Sequence, residues 1–171
     1  MIEKTIQLLS DLVRFKSISP NGKDALEYIA QILNNLGFKC DLQGFGEGEE
    51  LTYNLYAESG GAKPNICFAG HVDVVPPGEI DHWRSDPFSL EQKEDMVYGR
   101  GVVDMKGAIA CFLSAVIHFL NNNKSPKGTI SLLLTTDEEA SGKFGTVKML
   151  EYIKDKYEPI DLCILGEPTS D

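Results

Sequence analysis

His71 and Asp73 stand one residue apart in the stretch GHVDVVPPG, where an apolar run should be ending. A neutral imidazole nitrogen binds transition metals, and a carboxylate beside it can accept the second ring N–H, fixing tautomer and orientation. In an extended segment residues i and i+2 project to one side, which places Asp73 next to His71. An isolated His-x-Asp is more often a buried histidine satisfied by its neighbour. This one is not isolated, because Asp104, the run Asp137, Glu138 and Glu139, and Glu167 follow apolar stretches in the same way. Carboxylates drawn within a few ångströms of one another repel strongly, and a multivalent cation removes the conflict. Nitrogen and oxygen donors without cysteine suit zinc, with manganese or cobalt as substitutes, and the histidine argues against an all-oxygen calcium site. Adjacent side chains diverge on an extended backbone. Of Glu138 and Glu139, one can therefore bind metal while the other serves as general base toward water that the metal acidifies.

These residues meet only if the fold brings their segments together. Ile6, Leu9, Leu12 and Val13 recur at helical spacing between Glu3 and Lys16, and SISP then breaks the pattern at Pro20. A second helix is expected from Lys23 to Asn35, with Gly37 as its C-terminal cap. The segments FKCDLQ, TYNLYAES, NICFAGHVDVV, MVY and GTISLLLTTDEE read as strands, and IDLCILGEPTSD as a final buried one. MKGAIACFLSAVIHFL reads as a helix packed on several sides, and TVKMLEYIKDKY as a further helix. Strands alternating with helices predict an α/β fold whose sheet, largely parallel or mixed, is flanked by helices. In such open sheets ligands bind beyond the carboxyl ends of the strands, which is where the acidic residues fall.

The chain of 171 residues is expected to form one unit, 1–171, without a linker or internal repeat. Its net charge is −10 and no basic stripe is present, so nucleic acid and anionic membrane are poor partners. The N-terminus lacks a signal-peptide pattern and no apolar run approaches the roughly 20 residues of a membrane span, making the cytoplasm the expected compartment. Cys40, Cys67, Cys111 and Cys163 are widely spaced with no Cys-x-x-Cys pair, and are expected to be buried free thiols.

Taken in order, GHVDVVPPG, Trp83 with DPF behind it, YGRGVVDMKG, TTDEEASG and GEPT resemble the motifs of the dizinc aminoacylase and carboxypeptidase superfamily, across essentially the whole chain. The resemblance implies a zinc-exopeptidase-like catalytic domain with two zinc ions. His71 and Glu167 would bind one, Asp104 would bridge, Glu139 would bind the second, Glu138 would be the general acid/base, and Asp73 would orient His71. It also implies a cis peptide between Asp104 and Met105. Within the superfamily the motifs look most like the branch that cleaves N-succinyl-LL-2,6-diaminopimelate to succinate and LL-diaminopimelate in bacterial lysine and cell-wall precursor synthesis. The alternatives are acetylornithine deacetylase or a zinc dipeptidase or carboxypeptidase, and, from another class, a non-catalytic metal-binding module. Members are longer: an inserted domain forms the homodimer and supplies an oxyanion-binding histidine, and a later segment supplies the last zinc ligand, also a histidine. Neither has a counterpart in these residues. The expectation is therefore an incomplete, N-terminal part of the catalytic domain, with at most one tightly held zinc and little amide hydrolysis of its small N-acyl amino-acid substrate.

Overall fold

The computed structural model describes residues 1–123 and 127–169. Helices α1 (Ile2–Arg14) and α2 (Lys23–Asn35) lead into strands β1 (Lys39–Phe45), β2 (Thr52–Ser59) and β3 (Asn65–His71). A small hairpin, β4 (Glu91–Lys93) and β5 (Met96–Tyr98), precedes α3 (Gly107–Asn122), β6 (Thr129–Thr135), α4 (Thr146–Ile153) and β7 (Leu162–Leu165). The main sheet has the order β1-β2-β6-β3-β7 and is mixed: β2 runs antiparallel to β1 and β6, whereas β3 runs parallel to β6 and β7.

Alternation along the central strands separates two cores. Leu55 and Ala57 of β2 and Leu132 and Leu134 of β6 face Leu8, Leu12, Leu26, Ile29, Ile109 and Leu113 of the first three helices. Tyr56, Cys67 and Leu133 face the opposite way, against Met149 and Ile153 of α4. Each fully buried leucine or isoleucine contributes about 1.5–3 kcal/mol, so the larger core fixes the sheet against α1, α2 and α3. Gly37 closes α2 with a positive φ of 85°, as expected of a glycine at that cap.

Three expectations about burial fail. All four residues of β7 are exposed, with Leu165 at 63%, because β7 is an edge strand with β3 as its only partner among the described residues. Helix α3 buries one stripe only, leaving Cys111 and Phe119 exposed. Cys163 is likewise exposed and Cys40 half-buried, so of the four free thiols Cys67 alone is buried. The stretch Val102–Asn122 is apolar enough and long enough to cross a membrane. Its backbone leaves helical geometry at Asp104 and Met105, however, and the regular helix beyond is 16 residues, short of the roughly 20 a span requires. Ser170 and Asp171, the end of the expected final strand, lie outside the described residues.

Candidate metal centre

Register explains why residues so far apart in sequence converge. In the parallel pairs His71 lies opposite Thr135, and Ala69 opposite Leu165. Strands β3 and β6 thus end level, with Glu138 and Glu139 just past β6, and β7 ends two residues earlier, which brings Glu167 to the level of His71. The fourth segment reaches the same place through a tight irregular turn, Val102–Lys106, ahead of α3.

Packing of Met105 sets that turn. Its side chain is fully buried, and the residues beside it on two strands are glycines. A Cβ on Gly70 would collide with the Met105 thioether, and one on Gly166 would lie 2.6 Å from both Met105 Cε and Phe68 Cζ. Gly101 enters the turn at a φ of 80°, and a Cβ there would stand 2.6 Å from Val74 Cγ1. A methionine lodged between two glycine-lined strand ends is what brings Asp104 over His71, and the His71 N–H points at Met105 Sδ, 3.2 Å away. The Asp104–Met105 peptide is cis.

His71 is wholly buried and its two nitrogens have separate roles. Nδ1 lies 2.8 Å from the Asp73 carbonyl oxygen, which can only accept, so Nδ1 carries the proton and Nε2 faces the carboxylates. Nε2 stands 3.0 Å from Asp104 Oδ1, 3.3 Å from Glu167 Oε1 and 3.8 Å from Glu138 Oε2. Two overlapping trios, His71 with Asp104 and Glu167, and His71 with Glu138 and Glu139, each hold their donor atoms within 4.8 Å of one another. Ligands at about 2.0–2.2 Å from a tetrahedral zinc are separated by roughly 3.4 Å, so the His71, Asp104 and Glu167 spacings fit such an ion.

Electrostatics point the same way. Burial disfavours a charged imidazole, but the hydrogen bonds and charge of Asp73, with the Glu167 carboxylate, outweigh it and lift His71 to about 9. Burial and repulsion from Asp104 push Glu139 upward, and burial with the repulsion of Asp104 and Glu138 does the same for Glu167, despite the attraction of His71. In the metal-free chain a proton on Nε2 occupies the position where a cation would neutralise the cluster.

Asp73 does more than the sequence suggests, and by a different route. Its carboxylate is 3.5 Å from His71 Nδ1, whereas its own carbonyl makes the close bond. The carboxylate instead accepts the backbone N–H of Glu138 (3.2 Å) and Glu139 (3.1 Å), pinning the turn that presents both glutamates. Burial opposes its ionisation, but His71, the Ser19 hydroxyl and the Glu139 N–H together hold its pKa low. Asp73→Ala leaves two partly buried N–H groups without their acceptor and is expected to destabilise the chain by about 2 kcal/mol, Asp73→Asn by less, as urea denaturation would measure. Asp137, in the same acidic run, serves elsewhere. It accepts the backbone N–H groups of Ser141 and Phe144 and so shapes the following loop. Trp83 donates to the Pro77 carbonyl and lies under the Arg100 guanidinium, bracing the loop after GHVDVVPPG rather than facing the carboxylates.

Comparison with known proteins agrees with this geometry. The chain is 51% identical over 163 residues to succinyl-diaminopimelate desuccinylase of Rickettsia prowazekii, covering 94% of this chain and 43% of the relative. It is 52% identical over 164 residues to the protein of the same name from Orientia tsutsugamushi, covering 96% and 42%. The chain thus spans less than half the length of these curated relatives. Among solved structures, human carnosine dipeptidase 1 superposes with a TM-score of 0.85 at 25% identity, covering 98% of this chain and 39% of that one. An M20 family metallo-carboxypeptidase from Sulfolobus solfataricus superposes at 0.78 with 26% identity, covering 95% and 37%. Residues 67–171, which include every candidate ligand, match the peptidase family M20/M25/M40, and the chain belongs to that family.

Proposed function

We propose that the chain carries the zinc-binding, amide-cleaving machinery of a succinyl-diaminopimelate desuccinylase, hydrolysing N-succinyl-LL-2,6-diaminopimelate to succinate and LL-diaminopimelate. The observation that carries this is the meeting of His71, Glu138, Glu139 and Glu167, beyond the ends of β3, β6 and β7, with Asp104 of the turn before α3, in a chain about half identical to proteins of that name. His71 and Glu167 would hold one zinc and Glu139 the other, with Asp104 serving both. Cobalt or manganese can replace zinc at oxygen and nitrogen donors. When bound, the metal polarises the amide carbonyl and acidifies water. The chain's own residues supply the rest: Asp73 fixes the ring of His71 and the Glu138 turn, and Glu138 accepts a proton from water and returns it to the leaving amine. The reading includes a cytoplasmic enzyme that is a homodimer at the length of its relatives, with an inserted domain and a later histidine completing the site.

The test compares hydrolysis of succinyl-diaminopimelate, acetylornithine and a dipeptide by the protein at its relatives' full length and by these 171 residues alone. The longer protein is expected to prefer the succinyl substrate and the 171 residues to turn over little of any. Preference for the dipeptide would favour the second reading, a dipeptidase, which the superposition on carnosine dipeptidase 1 supports.

A further inference from the structure

The stretch FKSIS, which ends the first helical pattern, carries no candidate ligand, yet it touches all the ligand segments except that of β7. Lys106, two residues beyond Asp104, is fully buried, and its Nζ donates to the Phe15 carbonyl at 2.9 Å. Ser17, also buried, donates from Oγ to the Val72 carbonyl at 2.6 Å, between His71 and Asp73. The backbone continues this pairing: Val74 N–H donates to the Ser17 carbonyl at 2.9 Å, Ser19 N–H donates to the Val74 carbonyl at 3.2 Å, and Ile18 bridges Val74 in parallel. Ser19 Oγ reaches the Thr136 carbonyl, ahead of Glu138 and Glu139, at 3.4 Å. Gly22 closes the packing, since a Cβ there would stand 3.0 Å from Thr136 Cγ2 and 3.3 Å from Val72 Cγ2.

We propose that residues Phe15–Ser19 form a strap that sets the relative positions of the His71, Asp104 and Glu138 segments, with Ser17 and Lys106 as its positioning residues. The inference rests on the metal-site reading above. The three segments come from different elements; β3–β6 pairing, the Asp73 carboxylate and Met105 already join them pairwise, and the strap adds one element bonded to each. A strap bonded to all three converts the attachment of α1 into control over donor spacing. The Lys106 ammonium suits its place, because Phe15 caps α1 and the C-terminal end of a helix attracts a cation. A turn that did no more than hold α1 on the sheet would contribute to stability without moving the donors.

Zinc affinity, by competition with a chromophoric chelator well below the melting temperature, and the imidazole nitrogen resonances of His71 in the metal-free chain distinguish these cases. Ser17→Ala and Lys106→Met are compared with Leu33→Ala, a core truncation in the last turn of α2. Ser17→Ala and Lys106→Met are expected to weaken zinc by about tenfold or more, as loss of groups that orient ligands does, and to shift the His71 resonances, whereas Leu33→Ala lowers stability and moves neither. The sign for Lys106→Met is informative, because deleting a cation near carboxylates would by charge alone tighten a divalent ion. Unchanged affinity and unchanged His71 resonances in Ser17→Ala, or equal shifts in Leu33→Ala, would overturn the strap. Should Lys106→Met not fold, Ser17→Ala decides. Should the 171-residue chain bind no zinc, the site needs the segments that its longer relatives carry, and the His71 resonances still test the strap.

Discussion

Glu138→Gln, made in the protein at its relatives' full length, is expected to cut amide hydrolysis by about a hundredfold to ten-thousandfold while leaving zinc content unchanged. The two neighbouring glutamates are held by one acceptor, since both backbone N–H groups donate to Asp73, but their side chains differ in burial. Glu139 is the more enclosed and feels Asp104 most strongly among its charged neighbours, as two carboxylates sharing a cation should. Glu138 keeps a side chain 52% exposed and stands 3.8 Å from His71 Nε2, the longest of that nitrogen's carboxylate distances. It can reach water and substrate more readily than it can enclose an ion. Glutamine keeps the shape and the backbone bonds but cannot take a proton, so a general base is lost and a ligand set retained. Metal analysis beside kcat checks this. If zinc falls together with turnover, Glu138 is a ligand and the roles of the two glutamates exchange.

Much of this centre could be read from the chain because its chemistry is written in residue types at strand ends. His71, Asp104, Glu138, Glu139 and Glu167 each follow a strong apolar run or a glycine-rich turn, and parallel strands of matching register leave such residues at one level. Burial was harder to read. LCIL in β7 has the composition of a central strand, but exposure depends on what lies beside a strand, which its own periodicity does not record. The same holds for Cys111 and Cys163, apolar in sequence context and exposed in the fold. Asp73 does lie beside His71, but it is its carbonyl and not its carboxylate that meets the ring N–H. Alternation of side chains assumes a continuing strand, whereas β3 ends at His71, and beyond it the backbone carbonyl of Asp73 turns to the ring and the carboxylate to the neighbouring turn. Gly70 and Gly166 did carry a signal, a glycine directly before a ligand in both GH and GE, but only the buried Met105 explains it.

Zinc binding by the 171-residue chain is expected to release about one proton per ion near pH 7.5, with release fading as pH passes 9. The imidazole must give up its Nε2 proton to become a ligand, and the surrounding carboxylates hold that proton up to about 9. Calorimetry in buffers of different ionisation enthalpy counts the released protons. The expected stoichiometry is about one zinc, at the three-donor set of His71, Asp104 and Glu167, because two carboxylates alone bind zinc poorly. His71→Ala removes the donor common to both trios, and is expected to abolish the proton release and weaken zinc by about a hundredfold or more. The same proton governs the metal-free chain in the opposite sense. A histidine whose pKa is raised on folding contributes fully below its unfolded value of about 6.5, and that contribution is lost as pH rises through about 9. Between pH 6.5 and 7.5, below the midpoint of about 8 to which burial lowers Lys106, metal-free stability should fall by about 1 kcal/mol in urea. With saturating zinc the imidazole has already lost its proton, so the fall should vanish. A metal-free chain equally stable at both pH values would mean that His71 is neutral without metal, and binding would then release no proton. The two measurements therefore stand or fall together on the charge of one buried ring.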